Sequence, residues 1–540
     1  MEIQKLLVAN RGEIAARIFR ACRDAGIGTV AVAAPDDRGS FQTRHADETV
    51  EIESYLASEE HIRAAKQSGA DAIHPGYGFL AENAEFAEAI EAAGLFFVGP
   101  TPEALRQGGD KLQAKRIAEQ AGVPTLPAGE PEDIGFPLVV KAAAGGGGRG
   151  MRVVRDPADL EAAIDAAQRE AKTAFGDDRV YCERYLERPR HVEIQVLADG
   201  KGRVLSLGER ECSIQRRHQK VLEESPSPAL DRDLRERMSD AAVAFGRAIG
   251  YRSAGTVEFM LDGRDFYLLE LNGRIQVEHP VTELVTGVDI VQEQLRIAAR
   301  ETLQQTVTRS EGHAVEVRLY AEDPRTFLPQ AGRIERLRLP TGIRVDAGVD
   351  EGDEVGVAYD PMIAKLIAHG PTRDEALLRL RDALAETAVE GLTTNLPFLR
   401  WLVAHPAVRA GRTTTAFLSE FAPLSAPPTR LPSGPWYGVW RMNLPPPAPH
   451  TPPDIDELSH AAAGPSGGAQ SSLTAPMPGT VIKVLAAPGD KVEQRQTILV
   501  LEAMKMETPV ASPYAGTVKA VHVAEGDRVA GGALLVELEE

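Results

Sequence analysis

Two glutamates constrain this chain more tightly than any other pair of its residues. Gly255-Thr-Val-Glu258-Phe-Met-Leu261 and Phe266-Tyr-Leu-Leu-Glu270 read as strands, and Asp262-Gly-Arg-Asp265 between them reads as a hairpin turn. Folding about that turn sets Glu258 and Glu270 roughly opposite each other. Like charges so placed destabilise a sheet unless a cation lies between them. The polar pattern continues through Glu270-Leu-Asn-Gly-Arg-Ile-Gln-Val-Glu-His279, read as one strand. With a period of two, Glu270, Asn272, Arg274, Gln276 and Glu278 share one face, and Leu271, Gly273, Ile275 and Val277 the other. Alternation alone favours a solvated outer face. The facing carboxylates favour a site instead: Glu258, Glu270 and Asn272 offer hard oxygens suited to Mg²⁺. Arg274 and Gln276 suit a small anion, with Glu278 as a base beside it.

A length of 540 residues predicts roughly three to four domains. The net charge of −19 argues against nucleic acid or an anionic membrane as partner. No apolar run is long enough for a membrane span, and Met1–Ala9 reads as a buried strand and not as a signal peptide. Cys22, Cys182 and Cys212 form no C-x-x-C and cannot all pair, which suggests a reducing, cytoplasmic setting.

Residues 1 to about 105 alternate strands (Lys5–Ala9, Gly28–Ala33, Ala72–His74) with helices, which predicts a parallel α/β unit. His74-Pro-Gly-Tyr77-Gly-Phe-Leu-Ala-Glu-Asn83 reads as a turn entering a helix, and Asp110 as the N-cap of a helix opened by Lys111. Gly145 to Gly150 satisfies G-x-G-x-x-G, but a strand follows where a dinucleotide fold needs a helix. Strand, glycine loop, strand is a flap whose backbone N–H groups close over phosphates, and Lys141 on its leading strand is placed to reach them. Glu183–Leu186 and Arg190–Val196 read as a strand pair. Arg216, Arg217, His218 and Lys220 concentrate positive charge in five residues of an acidic chain, either a salt-bridged solvated face or an anion site.

Twelve of the 37 prolines fall in residues 421–472, a linker by composition. Trp436 and Trp440 lie within it and predict a buried or docking patch, since disordered linkers are poor in aromatics. Beyond it, Pro478-Gly-Thr-Val481…Gly489-Asp490…Val492 recurs as Ala515-Gly-Thr-Val518…Gly526-Asp527…Val529 at a constant spacing of 37 residues. Two copies of a short-stranded motif predict a quasi-twofold β-sandwich with Ala503-Met-Lys505-Met506 at a hairpin tip between the halves.

Glu258-Phe-Met…Glu270-Leu-Asn-Gly-Arg-Ile-Gln-Val-Glu-His-Pro-Val-Thr-Glu283 resembles the signature of biotin carboxylases in the ATP-grasp superfamily, and the resemblance covers roughly residues 3–420. His74–Asn83, His313–Pro324 and Tyr359–Lys365 extend it, and Ala503–Met506 resembles the biotinyl site of a carrier domain. The family pattern has Thr or Ala where this chain has Gly273, and the spacer Gly122–Phe136 is shorter than in the family. The fold implied is α/β and α+β: a parallel α/β domain at 1–105, an ATP-grasp domain at 106–310 with its glycine-rich flap at about 126–185, and a carboxylase C-terminal domain at 311–420. The linker at 421–472 and an all-β quasi-twofold biotinyl domain at 473–540 complete it.

The resemblance implies a ligase that makes carboxyphosphate from ATP and bicarbonate and passes the carboxyl group to biotin on Lys505, as in the α subunit of an acetyl- or propionyl-CoA carboxylase of fatty acid metabolism. It implies Glu258, Glu270 and Asn272 for Mg²⁺ or Mn²⁺. ATP would be held by Lys111, Lys141, Gly145, Gly146, Gly147, Gly148, Gly150, Glu183, Leu186, His191, Gln215, His218, Glu258 and Glu270. Bicarbonate would be held by Lys220, Arg274, Gln276, Val277 and Glu278, and biotin by Arg318 and Tyr77. Glu278 would be the base and Arg318 the oxyanion stabiliser, with Arg274 and Lys220 also catalytic. Partners implied are a carboxyltransferase subunit and a biotin protein ligase, in an oligomer. Another ATP-grasp ligase with a lipoyl-like domain, or a non-catalytic carrier scaffold, are the alternative readings.

Overall fold

The computed structural model describes residues 2–143, 151–216, 219–303, 310–424, 472–503 and 506–539. The expected flap loop Gly145–Gly150, His218, Lys505 and the linker patch with Trp436 and Trp440 lie outside the described residues.

Strands β1 (Lys5–Val8), β2 (Gly28–Ala33), β3 (Glu48–Glu51), β4 (Ala72–His74) and β5 (Phe96–Phe97) form a parallel sheet in the order β3-β2-β1-β4-β5. Leu6, Leu7 and Val8 are fully buried, as expected of a parallel strand covered on both faces. Two loops meet above it. Asn10 Nδ2 donates to the carbonyls of Pro75 (2.8 Å) and Tyr77 (2.7 Å). Gly76 sits at φ +64, where a Cβ would lie 2.8 Å from that nitrogen, so only glycine allows the approach.

Strands β6 (Ala128–Gly129), β7 (Leu138–Ala142), β8 (Arg152–Val154) and β9 (Val180–Arg184) form a separate antiparallel sheet, β6-β9-β7-β8, covered by the helix Leu160–Phe175. The expected pairing of Glu183–Leu186 with Arg190–Val196 does not form. The first segment belongs to this small sheet. The second opens a larger one, because β9 finds its partners in β6 and β7.

The larger sheet takes β10 (Arg190–Asp199), β11 (Val204–Arg216), β12 (Gln219–Ser225), β13 (Arg252–Asp262), β14 (Asp265–Asn272) and β15 (His313–Tyr320). Short strands β16 (Gly332–Arg333) and β17 (Arg336–Arg338) precede β18 (Arg344–Ala347), β19 (Glu354–Val355) and β20 (Met362–Gly370). The order is β14-β13-β10-β11-β12-β15-β20-β18, antiparallel at every pairing. This sheet draws strands from both sides of residue 310, since β12 pairs β15 with Glu223 opposite Glu316.

The hairpin at Asp262–Asp265 forms and sets Glu258 against Glu270 in register. The strand expected to continue to His279 stops at Asn272. Residues 273–278 are an irregular turn, and a helix runs from His279 to Thr286 with Glu278 at its N-cap position. Pro280 explains the switch: it would remove a ladder donor from a strand but fits the first turn of a helix.

The C-terminal unit has two four-stranded sheets, as the repeat predicts. The halves interlock reciprocally: Gly489 N–H donates to Val518 O and Gly526 N–H to Val481 O, each at 2.7 Å. The strands flanking Met504 and Lys505, Thr497–Ala503 and Met506–Ala511, pair antiparallel with Ala503 opposite Met506. Among the described residues, no helix is long and apolar enough to cross a membrane.

Candidate active site

Four neighbouring strands of the larger sheet align Glu270, Glu258, Glu193 and Arg210 in direct register. Three carboxylates side by side require compensating charge, because an unpaired buried charge is costly. Arg210, fully buried, supplies part: its Nε donates to Glu193 Oε1 at 2.5 Å, and its Nη atoms to Gln195, Thr282 and Thr256. Lys220 supplies more. Its ammonium, on β12, lies 2.5 Å from Glu193 Oε2, 2.7 Å from Glu258 Oε1 and 2.6 Å from Glu278 Oε1. Burial disfavours the lysine's charge, but Glu193, Glu258 and Glu278 outweigh it and raise its pKa well above the ordinary value.

His191 Nε2 stands 3.2 Å from Glu258 Oε2. Burial pulls this imidazole down, yet Glu258 and Glu193 push it up to about 9, so it is cationic at neutral pH. Glu258 is buried, but Lys220 and His191 hold it far below the usual carboxylate range. Glu270 behaves oppositely: burial first, then Glu258, raises its pKa, and Lys111 only partly offsets them. The facing pair thus has one well-compensated carboxylate and one that lacks a hydrogen-bond partner among the described residues. A divalent cation fits that deficit.

His191, Glu193 and Glu258 offer ligand atoms within 4.8 Å of one another, as do Glu193, Cys212 and Glu278. Neither group is a convincing metal cage. The Lys220 ammonium already bridges their carboxylates, and burial keeps Cys212 a thiol.

The turn beyond β14 supplies the rest. Asn272 Nδ2 donates to Glu258 Oε1 at 2.8 Å, and Gln276 Nε2 to the same oxygen at 3.2 Å. Arg274 donates to Asn272 Oδ1 at 3.0 Å and Gln276 Oε1 at 2.9 Å, and its Nε lies 3.2 Å from Glu82 Oε2. Glu278 accepts from Lys220 on one oxygen and from Arg318 Nη2 on the other at 3.0 Å. Burial raises its pKa, but Lys220 and Arg318 more than offset it, so Glu278 is a carboxylate at neutral pH.

A second cluster joins the small sheet to the helix Lys111–Gln120: Lys115 Nζ is 2.8 Å and Lys141 Nζ 2.5 Å from the two oxygens of Glu183. Lys111 opens its helix as expected, with Asp110 Oδ1 accepting from Leu112 N and Gln113 N.

Family models cover most of the chain. "Biotin carboxylase, N-terminal domain" matches residues 2–105, "Carbamoyl-phosphate synthase L chain, ATP binding domain" 110–306, "Biotin carboxylase C-terminal domain" 316–420 and "Biotin-requiring enzyme" 471–538. Biotin carboxylase from Nostoc sp. is 49% identical over 446 residues, 78% of this chain and 99% of that protein. The chain belongs to the biotin carboxylase family. The solved biotin carboxylase domain of 2-oxoglutarate carboxylase from Hydrogenobacter thermophilus is similar at a TM-score of 0.76 and 43% identity, covering 78% of this chain and 98% of that one. The mitochondrial methylcrotonoyl-CoA carboxylase subunit alpha of Dictyostelium discoideum is 47% identical over 441 residues, 77% of this chain. That match spans 63% of the subunit's length.

Against the expectations for this biotin carboxylase family member, the structure gathers Lys220, Glu258, Asn272, Arg274, Gln276, Glu278, His191 and Arg318 around one sheet face. Lys141 and Glu183 pair on the small sheet, and Leu186, beyond strand β9, is half-buried. Gln215 donates locally to Cys212 O at 3.0 Å, and the Tyr77 hydroxyl donates to Glu13. Arg216, read as part of the basic cluster, turns away to Glu322 and the Phe327 carbonyl.

Sequence reasoning missed Glu193, Arg210, Lys115 and Glu82. It also gave Glu223 no role of its own. Glu223 is fully buried and accepts from Arg318 Nε at 2.7 Å. One signal was available for Glu193: an acidic residue between Val192 and Ile194, both fully buried.

Proposed function

We propose that the chain carboxylates biotin with bicarbonate at the expense of ATP, the first half-reaction of an acyl-CoA carboxylase. The observation that carries this reading is the Lys220 ammonium between Glu193, Glu258 and Glu278, beside the facing pair Glu258 and Glu270. It joins a metal–phosphate face to an anion pocket. The Hydrogenobacter thermophilus structure was solved with MgADP and bicarbonate, ligands whose charges fit those two faces.

In this reading Glu258, Glu270 and Asn272 hold Mg²⁺ or Mn²⁺, which when bound neutralises charge on the ATP phosphates. Lys111, Lys141, His191, Glu183, Leu186, Gln215 and His218 hold the nucleotide beneath the Gly145–Gly150 flap. Lys220, Arg274, Gln276 and the Val277 backbone hold bicarbonate. Glu278 takes the bicarbonate proton as a bicarbonate oxygen attacks the γ-phosphorus; the bond to the β-phosphate oxygen breaks, ADP leaves, and carboxyphosphate forms. A biotin held on Lys505 would supply the ureido nitrogen that takes the carboxyl group from carboxyphosphate, with inorganic phosphate released and carrying off the ureido proton. Arg318 and Tyr77 bind that ring, and the fixed guanidinium offsets negative charge at its oxygen.

We divide the chain as the sequence suggests: carboxylase units at 1–105, 106–310 and 311–420, and a carrier at 473–540 joined by the 421–472 linker. The acyl acceptor then requires a carboxyltransferase subunit, and loading of Lys505 a biotin protein ligase, in an oligomeric assembly. Three buried, unpaired cysteines suit a reducing cytoplasm. The test is ADP release from the purified chain, which should require both bicarbonate and biotin, together with a native mass raised by one biotin at Lys505. ADP release indifferent to bicarbonate overturns the reading.

A further inference from the structure

The turn at 273–278 has no strand partner, so groups outside it must set its shape. Glu82 Oε1 accepts from Gly273 N at 3.0 Å at one end. At the other end, two cross-strand neighbours, Arg318 on β15 and Lys365 on β20, grip two consecutive residues. Arg318 donates to the Glu278 carboxylate, and Lys365 Nζ donates to the Val277 carbonyl at 2.9 Å.

Lys365 is fully buried. A buried ammonium persists only where fixed acceptors replace its water, and here they come from distant parts of the chain. Glu13 Oε1, in the first turn of the helix Gly12–Asp24, lies 3.1 Å away, and Asp346 Oδ2 on β18 lies 3.9 Å away. Asp346 is itself held by Arg344 and Arg20, and Glu13 by the Tyr77 hydroxyl. The backbone packs as closely: a Cβ on Gly348 would lie 2.8 Å from the Glu13 nitrogen. The N-terminal sheet unit, the β18–β20 hairpin and the turn before the His279–Thr286 helix therefore converge on one nitrogen.

We propose that Lys365, braced by Glu13, is a positioning residue for carboxylation: it fixes the backbone of the 273–278 turn so that Val277 and Glu278 face the bicarbonate pocket. It touches no substrate and acts through the Val277 carbonyl. The inference rests on the bicarbonate reading of that pocket.

Steady-state kinetics with free biotin test it on the full chain. Lys365→Met keeps the side-chain bulk and removes the donor. Lys365→Met with Glu13→Gln also removes the carboxylate that the first change leaves unpaired. Both should raise the KM for bicarbonate by about 10- to 100-fold and lower kcat, as expected of a displaced catalytic group. The KM for ATP should stay within about twofold. A role in packing alone lowers the rate only in proportion to the folded fraction, so an unchanged bicarbonate KM in the folded variants overturns the inference. Should neither variant fold, Glu13→Gln alone decides, since it keeps Lys365 and weakens only its brace; an unchanged bicarbonate KM there overturns it equally. Wild-type ADP release that ignores bicarbonate would instead overturn the functional reading, without any variant.

Discussion

Glu258 and Glu270 face each other across paired antiparallel strands, yet their surroundings push their proton affinities in opposite directions. Lys220 and His191 stabilise the Glu258 carboxylate, whereas at Glu270 the attraction of Lys111 and Lys220 does not offset burial, Glu258 and Glu82.

Removing the Glu270 charge should therefore separate stability from function. Glu270→Gln should stabilise the metal-free protein by about 1 kcal/mol, the scale of an opposed like-charge pair. It should also lose most of the thermal stabilisation that MgADP gives the wild type. Thermal unfolding with and without MgADP measures both. A variant that gains as much from MgADP as the wild type removes Glu270 from the metal site.

Glu278→Gln should leave nucleotide binding nearly intact and lower bicarbonate-dependent ADP release by about 10²- to 10⁴-fold, the usual cost of losing a general base. The amide keeps one acceptor oxygen where the carboxylate has two, so it holds Lys220 or Arg318 but not both, and thermal unfolding of the variant separates lost proton transfer from lost structure. ADP release at the wild-type rate would assign the base elsewhere.

Glu223 links stability to pH. Burial pushes its pKa up to about 7; Arg318 opposes this, and Glu278 adds to it. Glu316 faces it in register and has two oxygens without a hydrogen-bond partner among the described residues, and Lys220 lies nearby. The native state keeps this proton to about pH 7, while the unfolded chain loses it near 4.5. The contribution is thus fully present below about 4.5 and is lost as pH rises through 7. Glu223→Gln removes the titration. The stability difference, wild type minus variant, should fall over that window by up to about 3 kcal/mol and then level. Denaturant unfolding across the pH series reads it, and a flat difference contradicts the assignment.

The carrier repeat predicts matched local effects. Asp490 Oδ2 accepts from Ala487 N, and Asp527 Oδ2 from Ala524 N, each at 2.8 Å. Asp490→Ala and Asp527→Ala should each speed amide exchange several-fold in its own loop, at Ala487 and Ala524 respectively, since one hydrogen bond is worth about 1 kcal/mol. A change confined to one loop under both substitutions would show that the halves are not equivalent.

Local chemistry made much of this protein legible. The Asp262–Asp265 turn and the N-cap at Asp110 depend on residues a few positions apart, and each formed where expected, while the two sheets of the C-terminal unit follow from the 37-residue repeat. The same local reasoning carried one strand too far, because strict alternation to Glu278 concealed what Pro280 does to the backbone before it.

Family signature residues also announced most of the site, but not its electrostatics. Sequence alone determined that Glu258, Glu270 and Glu278 belong together, since they occupy one hairpin and the turn that follows it. Tertiary structure decided what makes three such carboxylates tolerable: Lys220, Arg210 and Arg318 come from β12, β11 and β15, beside one another only because of the strand order. A charged residue within a strand reads as solvent-facing until that order is known. Burial and pairing depend on which strands become neighbours, and no short stretch of sequence specifies that.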